Sequence, residues 1–123
     1  MALNEIFRDA DHLSLPVPAN TKAGSPVRVG GLNGVTQTNR NEGTAPTDTQ
    51  GPDTTGNPVG NATVWLKGAH EFTVAFAVSN VGDPVYITSG NALSGTATDN
   101  QLFGHALTTK AAASGPLTVR IAN

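Results

Sequence analysis

The residues able to do chemistry are few and lie apart from one another. Asp9-Ala10-Asp11-His12 sets carboxylates beside an imidazole, the donor types of a metal site. A Ca²⁺ or Zn²⁺ centre needs more convergent ligands, and no calcium-loop spacing is present, so the segment reads as a solvated arm leading into a strand. His70-Glu71 opens a strand, which sends the two side chains to opposite faces and prevents a dyad. His105 comes after Gly104 within a strand and reads as a surface or satisfied histidine. Ser25 sits between Gly24 and Pro26, not in the G-x-S-x-G turn that exposes a nucleophile. Gly30-Gly31-Leu32-Asn33-Gly34 lacks both a phosphate-loop lysine and a helix after it, and its glycines suit a hairpin needing positive φ. Trp65, between Val64 and Leu66, reads as core or subunit interface. Asn61-Ala62-Thr63 fits a glycosylation sequon by chance. No catalytic, cofactor or metal residue is assigned, and no enzyme is expected.

The elements that carry these residues are strands. At 123 residues the chain has single-domain length, enough to bury roughly two-thirds of its unfolded surface. Only 13% of residues are charged and 37% are apolar, with 14 Gly and 8 Pro, a composition rich in turns and strands. A net charge of −2 offers no basic footprint for nucleic acid. No cysteine is present, so there is no disulfide framework or thiolate metal site. The opening Met1-Ala2-Leu3-Asn4-Glu5-Ile6 has neither the basic nor the apolar region of a signal peptide. No apolar run is long enough to span a bilayer, so a soluble protein made in a host cytoplasm is expected.

In chain order, residues 1–11 mix single apolar residues with charges, and an extended arm or a fraying terminus is expected there, with a short first-turn helix as the alternative. Leu13, Leu15 and Val17 then alternate with Ser14, Pro16 and Pro18, and the prolines make this an edge strand. Val27 and Val29 face one way and Arg28 the other before Gly30-Gly31 turns the chain toward Gly34-Val35. From 39 to 61 the chain is Thr, Asn, Gly, Asp and Pro with only Ala45 and Val59 apolar, a long polar loop inserted between strands. The segment Ala62-Thr63-Val64-Trp65-Leu66-Lys67 restores order. Phe72, Val74, Phe76 and Val78 alternate strongly enough to predict one strand at the centre of the core. After it come a strand at Val85 and Ile87, a thin hairpin around Leu93, and a stretch of alanines stopped by Gly115-Pro116. A strand at Leu117, Val119 and Ile121 closes the chain. The prediction is an all-β fold, a small barrel or sandwich of short strands. Residues 1–18 form the N-terminal arm and edge strand, and 19–123 form a single β domain with the loop at 39–61.

One phrase occurs twice. Ala23-Gly24-Ser25-Pro26-Val27-Arg28-Val29-Gly30 is echoed by Val81-Gly82-Asp83-Pro84-Val85-Tyr86-Ile87-Thr88. Glycine supplies backbone freedom and proline fixes φ, so each makes a tight lead-in to a strand. A looser match lies downstream of each phrase: Gly31-Leu32-Asn33-Gly34-Val35-Thr36-Gln37-Thr38 is similar to Leu102-Phe103-Gly104-His105-Ala106-Leu107-Thr108-Thr109. A strand–turn–strand unit is used twice.

This series of motifs resembles a small family of tailed-phage capsid decoration (cement) proteins, once of unassigned function and sometimes labelled phage recombinase. Carrying the resemblance are Leu13-Ser14-Leu15-Pro16-Val17-Pro18, the phrase from Lys22 to Gly30, Gly34-Val35, Gly82-Asp83-Pro84-Val85-Tyr86, Phe103-Gly104-His105-Ala106-Leu107 and Val119-Arg120-Ile121. It covers most of the chain from Leu13 onward except 39–61, and Gly24, Pro26, Gly30, Gly34, Gly82, Asp83 and Gly104 would carry fold. A recombinase is rejected because strand exchange needs a phosphate-binding loop and a basic path for nucleic acid. The resemblance implies a protein on the outer surface of the virion capsid that binds the major capsid protein and itself, as a homotrimer, and stabilises the head by bridging subunits. It implies no cofactor, nucleic acid or membrane. Candidate capsid and self-interface residues are Leu3, Ile6, Phe7, Leu13, Leu15, Val17 and Trp65. The alternative is a tail or receptor-binding accessory whose polar loop contacts a host surface.

Overall fold

The computed structural model describes residues 4, 6, 10–43 and 56–123. Nine strands run along them: β1 (His12–Pro16), β2 (Pro26–Val29), β3 (Leu32–Thr36), β4 (Asn61–Trp65), β5 (Ala69–Val74), β6 (Pro84–Ile87), β7 (Leu93–Ser94), β8 (Gln101–Ala106) and β9 (Gly115–Ile121). All pairings are antiparallel, in a four-stranded sheet of order β1-β4-β3-β2 and a five-stranded sheet of order β5-β9-β8-β6-β7. The all-β expectation holds.

The two sheets are one unit built twice. Removing β7, each has its first strand beside its fourth, its fourth beside its third and its third beside its second. The backbone bonds outside the ladders repeat as well. Leu66 N donates to Asp11 O at 2.7 Å, and Ile121 N to Gly68 O at 3.0 Å. Gly24 N donates to Thr36 O and Gly82 N to Ala106 O, both at 2.7 Å. Gln37 N reaches Thr63 O at 2.7 Å where Leu107 N reaches Thr118 O at 2.8 Å, and Arg40 N reaches Thr21 O at 2.9 Å where Lys110 N reaches Val78 O at 3.0 Å. The echo visible in the sequence therefore extends over both sheets.

The structure corrects its alignment by one residue. Val27 lies opposite Gly34 and Val85 opposite Gly104, so the two glycines are equivalent. At both, the next strand crosses too close for a side chain. A Cβ on Gly34 would lie 2.5 Å from Trp65 O, and one on Gly104 would overlap Arg120 O and lie 2.9 Å from Val119 Cγ1. The lead-in glycines serve a different need: Gly24 and Gly82 have φ of 82° and 94°, a conformation costly for other residues.

The units differ in two connections. Gly30-Gly31 alone joins β2 to β3, whereas residues 88–100, with β7, join β6 to β8. Conversely, 37–60 join β3 to β4 where 107–114 suffice between β8 and β9. The connection that holds the polar stretch is thus longer than its counterpart in the second unit. Residues 44–55 of it lie outside the described residues. Its base is held by polar bonds: Arg40 Nε donates to Val17 O (3.0 Å), Asn41 N to Asn61 O (2.9 Å) and Asn57 Nδ2 to Thr63 Oγ1 (3.2 Å). Lys110, equivalent to Arg40, donates to Phe76 O, Ala111 O and Ala113 O at 3.1, 2.6 and 2.6 Å. Those alanines form no helix, since the chain enters β9 at Gly115.

Each unit has its own core. The second sheet encloses Phe72, Val74, Val85, Ile87, Phe103, Ala106, Leu117, Val119 and Ile121, joined by Val35 and, partly buried, Trp65. The first encloses Val17, Val27, Ala62 and Val64, with Leu15, Val29 and Leu66 against them. The strand predicted to run to Val78 stops at Val74. Val74 pairs with Gly115, the first residue of β9, so the ladder ends there and only a bridge from Val78 to Lys110 lies beyond it. The core centre moves accordingly to Phe103, fully buried and edge-on to Phe72 at 5.7 Å. A register shift makes this possible. Val85 pairs with Gly104 but Tyr86 with Leu102, leaving Phe103 as the extra residue of a bulge that can turn it inward. Its equivalent Asn33, in an unbulged strand, instead links the sheets. Buried Asn33 donates from Nδ2 to Leu102 O (2.9 Å) and Ala122 O (2.8 Å) and accepts from Arg28 Nη1 (2.7 Å).

Candidate interaction surface

The structure keeps the chemically capable residues apart. Asp11 pairs with Lys67 at 2.7 Å near the surface, while Asp9 lies outside the described residues. His12 packs edge-on against Trp65, its cross-strand partner, with ring centroids 4.7 Å apart. His70 Nε2 lies 3.1 Å from Lys67 O, and His105 sits in β8 opposite Arg120. Ser25 is held by backbone: its amide donates to Thr36 Oγ1 (3.0 Å) and its carbonyl accepts from Thr36 N (3.0 Å). Among the described residues no three His, Asp or Glu side chains gather as metal ligands.

The interface candidates divide into three sets. Leu3 and Phe7 lie outside the described residues. Ile6 is 82% exposed. Leu13 is half-buried on β1, Leu15 packs against the first core, and Val17 is part of that core. Val17 and Leu15 thus face this chain's own interior, because alternation turns Leu13, Leu15 and Val17 to the buried side of β1. Trp65 is partly buried against the second core.

What β1 turns outward is backbone. It stands at the edge of its sheet with β4 on one side. Leu66 N bonds to Asp11 O and Val17 N to Gly60 O. In an antiparallel ladder that phase turns residues 11, 13, 15 and 17 toward β4, and the backbone groups of His12 and Ser14 and the carbonyl of Pro16 away from it. Pairing sites of this kind carry no side-chain signature.

The other edges are handled differently. Arg28 N, facing outward from β2, donates to Asn91 Oδ1 at 3.3 Å, so the 88–100 connection covers that edge. Asn91 holds its position with φ of 62°. Edge strand β7 has only two residues. Edge strand β5 has six, and an open groove of about 580 Å³ runs beside it, lined by Gly24–Pro26, Glu71–Ala75 and Asn91–Leu93.

The module is duplicated and wholly antiparallel, with strand edges as its notable surface features and its ionisable groups dispersed among the described residues. The particular class comes from comparison: the model of the phage cement protein family matches residues 7–122, and this chain belongs to that family. It is therefore a bacteriophage structural protein of the capsid-decorating class. No curated protein and no solved structure matches it.

Proposed function

We propose that this chain binds the outer surface of the assembled phage head and stabilises it by bridging neighbouring major capsid subunits, with β1 as one contact. Family membership supports the capsid role, and the outer edge of β1, unpaired among the described residues, is the observation that carries the mode of binding. A strand of the shell can add to His12, Ser14 and Pro16 by main-chain bonds, the β-augmentation mode. A contact formed only on the assembled shell stabilises that state by linkage. An interface of about 1,600 Å² per copy, repeated over the head, opposes the outward pressure of packaged DNA. Self-association as a homotrimer gives each assembly several shell contacts and raises its avidity.

The test is occupancy on purified heads that lack this protein, measured by sedimentation and electron microscopy. Removing residues 1–10 and replacing Ser14 by Pro should each lower occupancy while the thermal melt is retained. The cut falls before Asp11 because its carbonyl accepts the Leu66 amide. Unchanged occupancy for Ser14→Pro would refute the β1 contact, and density on the tail instead of the head would refute the capsid role.

A further inference from the structure

The groove beside β5 has the form of a missing strand. Consecutive residues Glu71 to Ala75 line it, and because successive side chains point to opposite faces, a groove meets consecutive residues only along the strand's backbone edge. The phase of the ladder says which groups face it. Ile121 N bonds to Gly68 O, so residues 68, 70, 72 and 74 turn to β9, and the amides and carbonyls of Ala69, Glu71 and Thr73 point away. The sheet order begins with β5, and no described strand lies on its far side. Of the four sheet edges this one is the longest, has no proline, and has no side chain bonded to its outward amides among the described residues, in contrast to β2 with Asn91. An edge of this length, left open by the described residues, is a template for another strand. The opposite wall is formed by Gly24–Pro26 and Asn91–Leu93.

From this geometry we infer that the groove receives residues 1–9 of a second copy of the chain as an added antiparallel strand. The internal duplication singles out that segment. The first described strand begins at His12, and the chain before it has no equivalent length ahead of the second unit, where Trp65 and Ala69 are separated only by the turn from β4 to β5. The segment contains Leu3, Ile6 and Phe7, and Ile6 is 82% exposed in the isolated chain. Phe72, Val74 and Leu93 line the receiving groove. Five residues of β5 span about 17 Å, and nine extended residues reach about 30 Å, enough to cross between copies. Donation from one copy into the next is a heterologous contact, which forms a ring where the rotation between copies closes; a ring of three is the trimer proposed above, on which this inference builds.

The test uses the full chain, the chain without residues 1–9, and Thr73→Pro, which deletes an outward amide and leaves the bonds to β9 in place. Light scattering at micromolar concentration should read a multiple of 12.5 kDa for the full chain and a single-chain mass for both variants, each of which still unfolds in one cooperative transition. The cysteine-free sequence permits a second readout: Phe7→Cys and Thr73→Cys chains mixed under oxidation should give a disulfide-linked pair that neither gives alone. A single-chain mass for the full protein, an unchanged oligomer after truncation, or a Phe7→Cys/Thr73→Cys double variant that cross-links only within one chain would each overturn the inference. Occupancy on heads is a separate readout, so loss of head binding with the oligomer intact would count against the β1 contact and not against this groove.

Discussion

Replacing Gly104 by alanine tests the duplicated architecture at its tightest point. Gly104 pairs with Ile121 where β9 crosses β8. An added methyl would overlap the Arg120 carbonyl oxygen and lie 2.9 Å from Val119 Cγ1. Val119 is fully buried and Arg120 O is main chain, so neither can swing aside. Ordinary carbon contacts need roughly 3.5 Å, so the strands must separate by about an ångström. That weakens the β8–β9 ladder, whose bonds contribute about 1 kcal/mol each, and adds overpacking strain of about 1–3 kcal/mol. The sum is about 3–5 kcal/mol out of a total stability of about 5–15 kcal/mol. At about 3–6 °C per kcal/mol the melting temperature should fall by about 10 °C or more. Gly34→Ala should behave alike, because its Cβ would lie 2.5 Å from Trp65 O. Gly31→Ala is the control: nothing lies within 4 Å of its Cβ and its φ is outside the left-handed region, so a change between zero and a gain of about 1 kcal/mol is expected. Thermal and urea melts of the three variants provide the comparison. If Gly104→Ala and Gly31→Ala melted within about 2 °C of each other, the close crossing would not exist.

Asn33→Leu should cost about 2–4 kcal/mol, because Leu102 O and Ala122 O lose the Asn33 donor and Arg28 loses its acceptor; a urea midpoint equal to that of the parent would exclude the bridge between the sheets. Asn91→Ala frees the outward Arg28 amide and should raise the rate of aggregation, measured by turbidity, with a stability loss of about 1 kcal/mol. Replacing 44–55 by a short Gly-Ser link should leave the melt within a few degrees of the parent, since the second unit closes the same connection with 107–114; a collapse of the melt would show that the insertion is part of the core. Lys67→Ala should change stability by less than about 0.5 kcal/mol, as its pair with Asp11 is exposed.

Much of the fold was written locally. Gly24-Ser25-Pro26 and Gly82-Asp83-Pro84 prescribe a left-handed glycine and, two residues on, a fixed proline φ. Each does lead into a strand, β2 and β6, because turn chemistry acts over adjacent residues and needs no partner. Alternation likewise found β1 and the closing β9, the prolines put β1 at an edge, and the resemblance carried by these turns pointed to the family that the comparison then showed.

Tertiary structure decided what depends on distant pairing. Phe72 to Val78 alternate as one strand, yet β5 ends where β9 has no more residues to offer. Phe103 enters the core only through the bulge against β6, while Asn33 at the equivalent place faces the other sheet. Which backbone groups an edge leaves facing outward is not legible in a sequence, because a free amide is defined by the neighbour it lacks. The residues determined which segments could be strands; the long-range ladders determined which backbone groups of β1 and β5 were left facing outward.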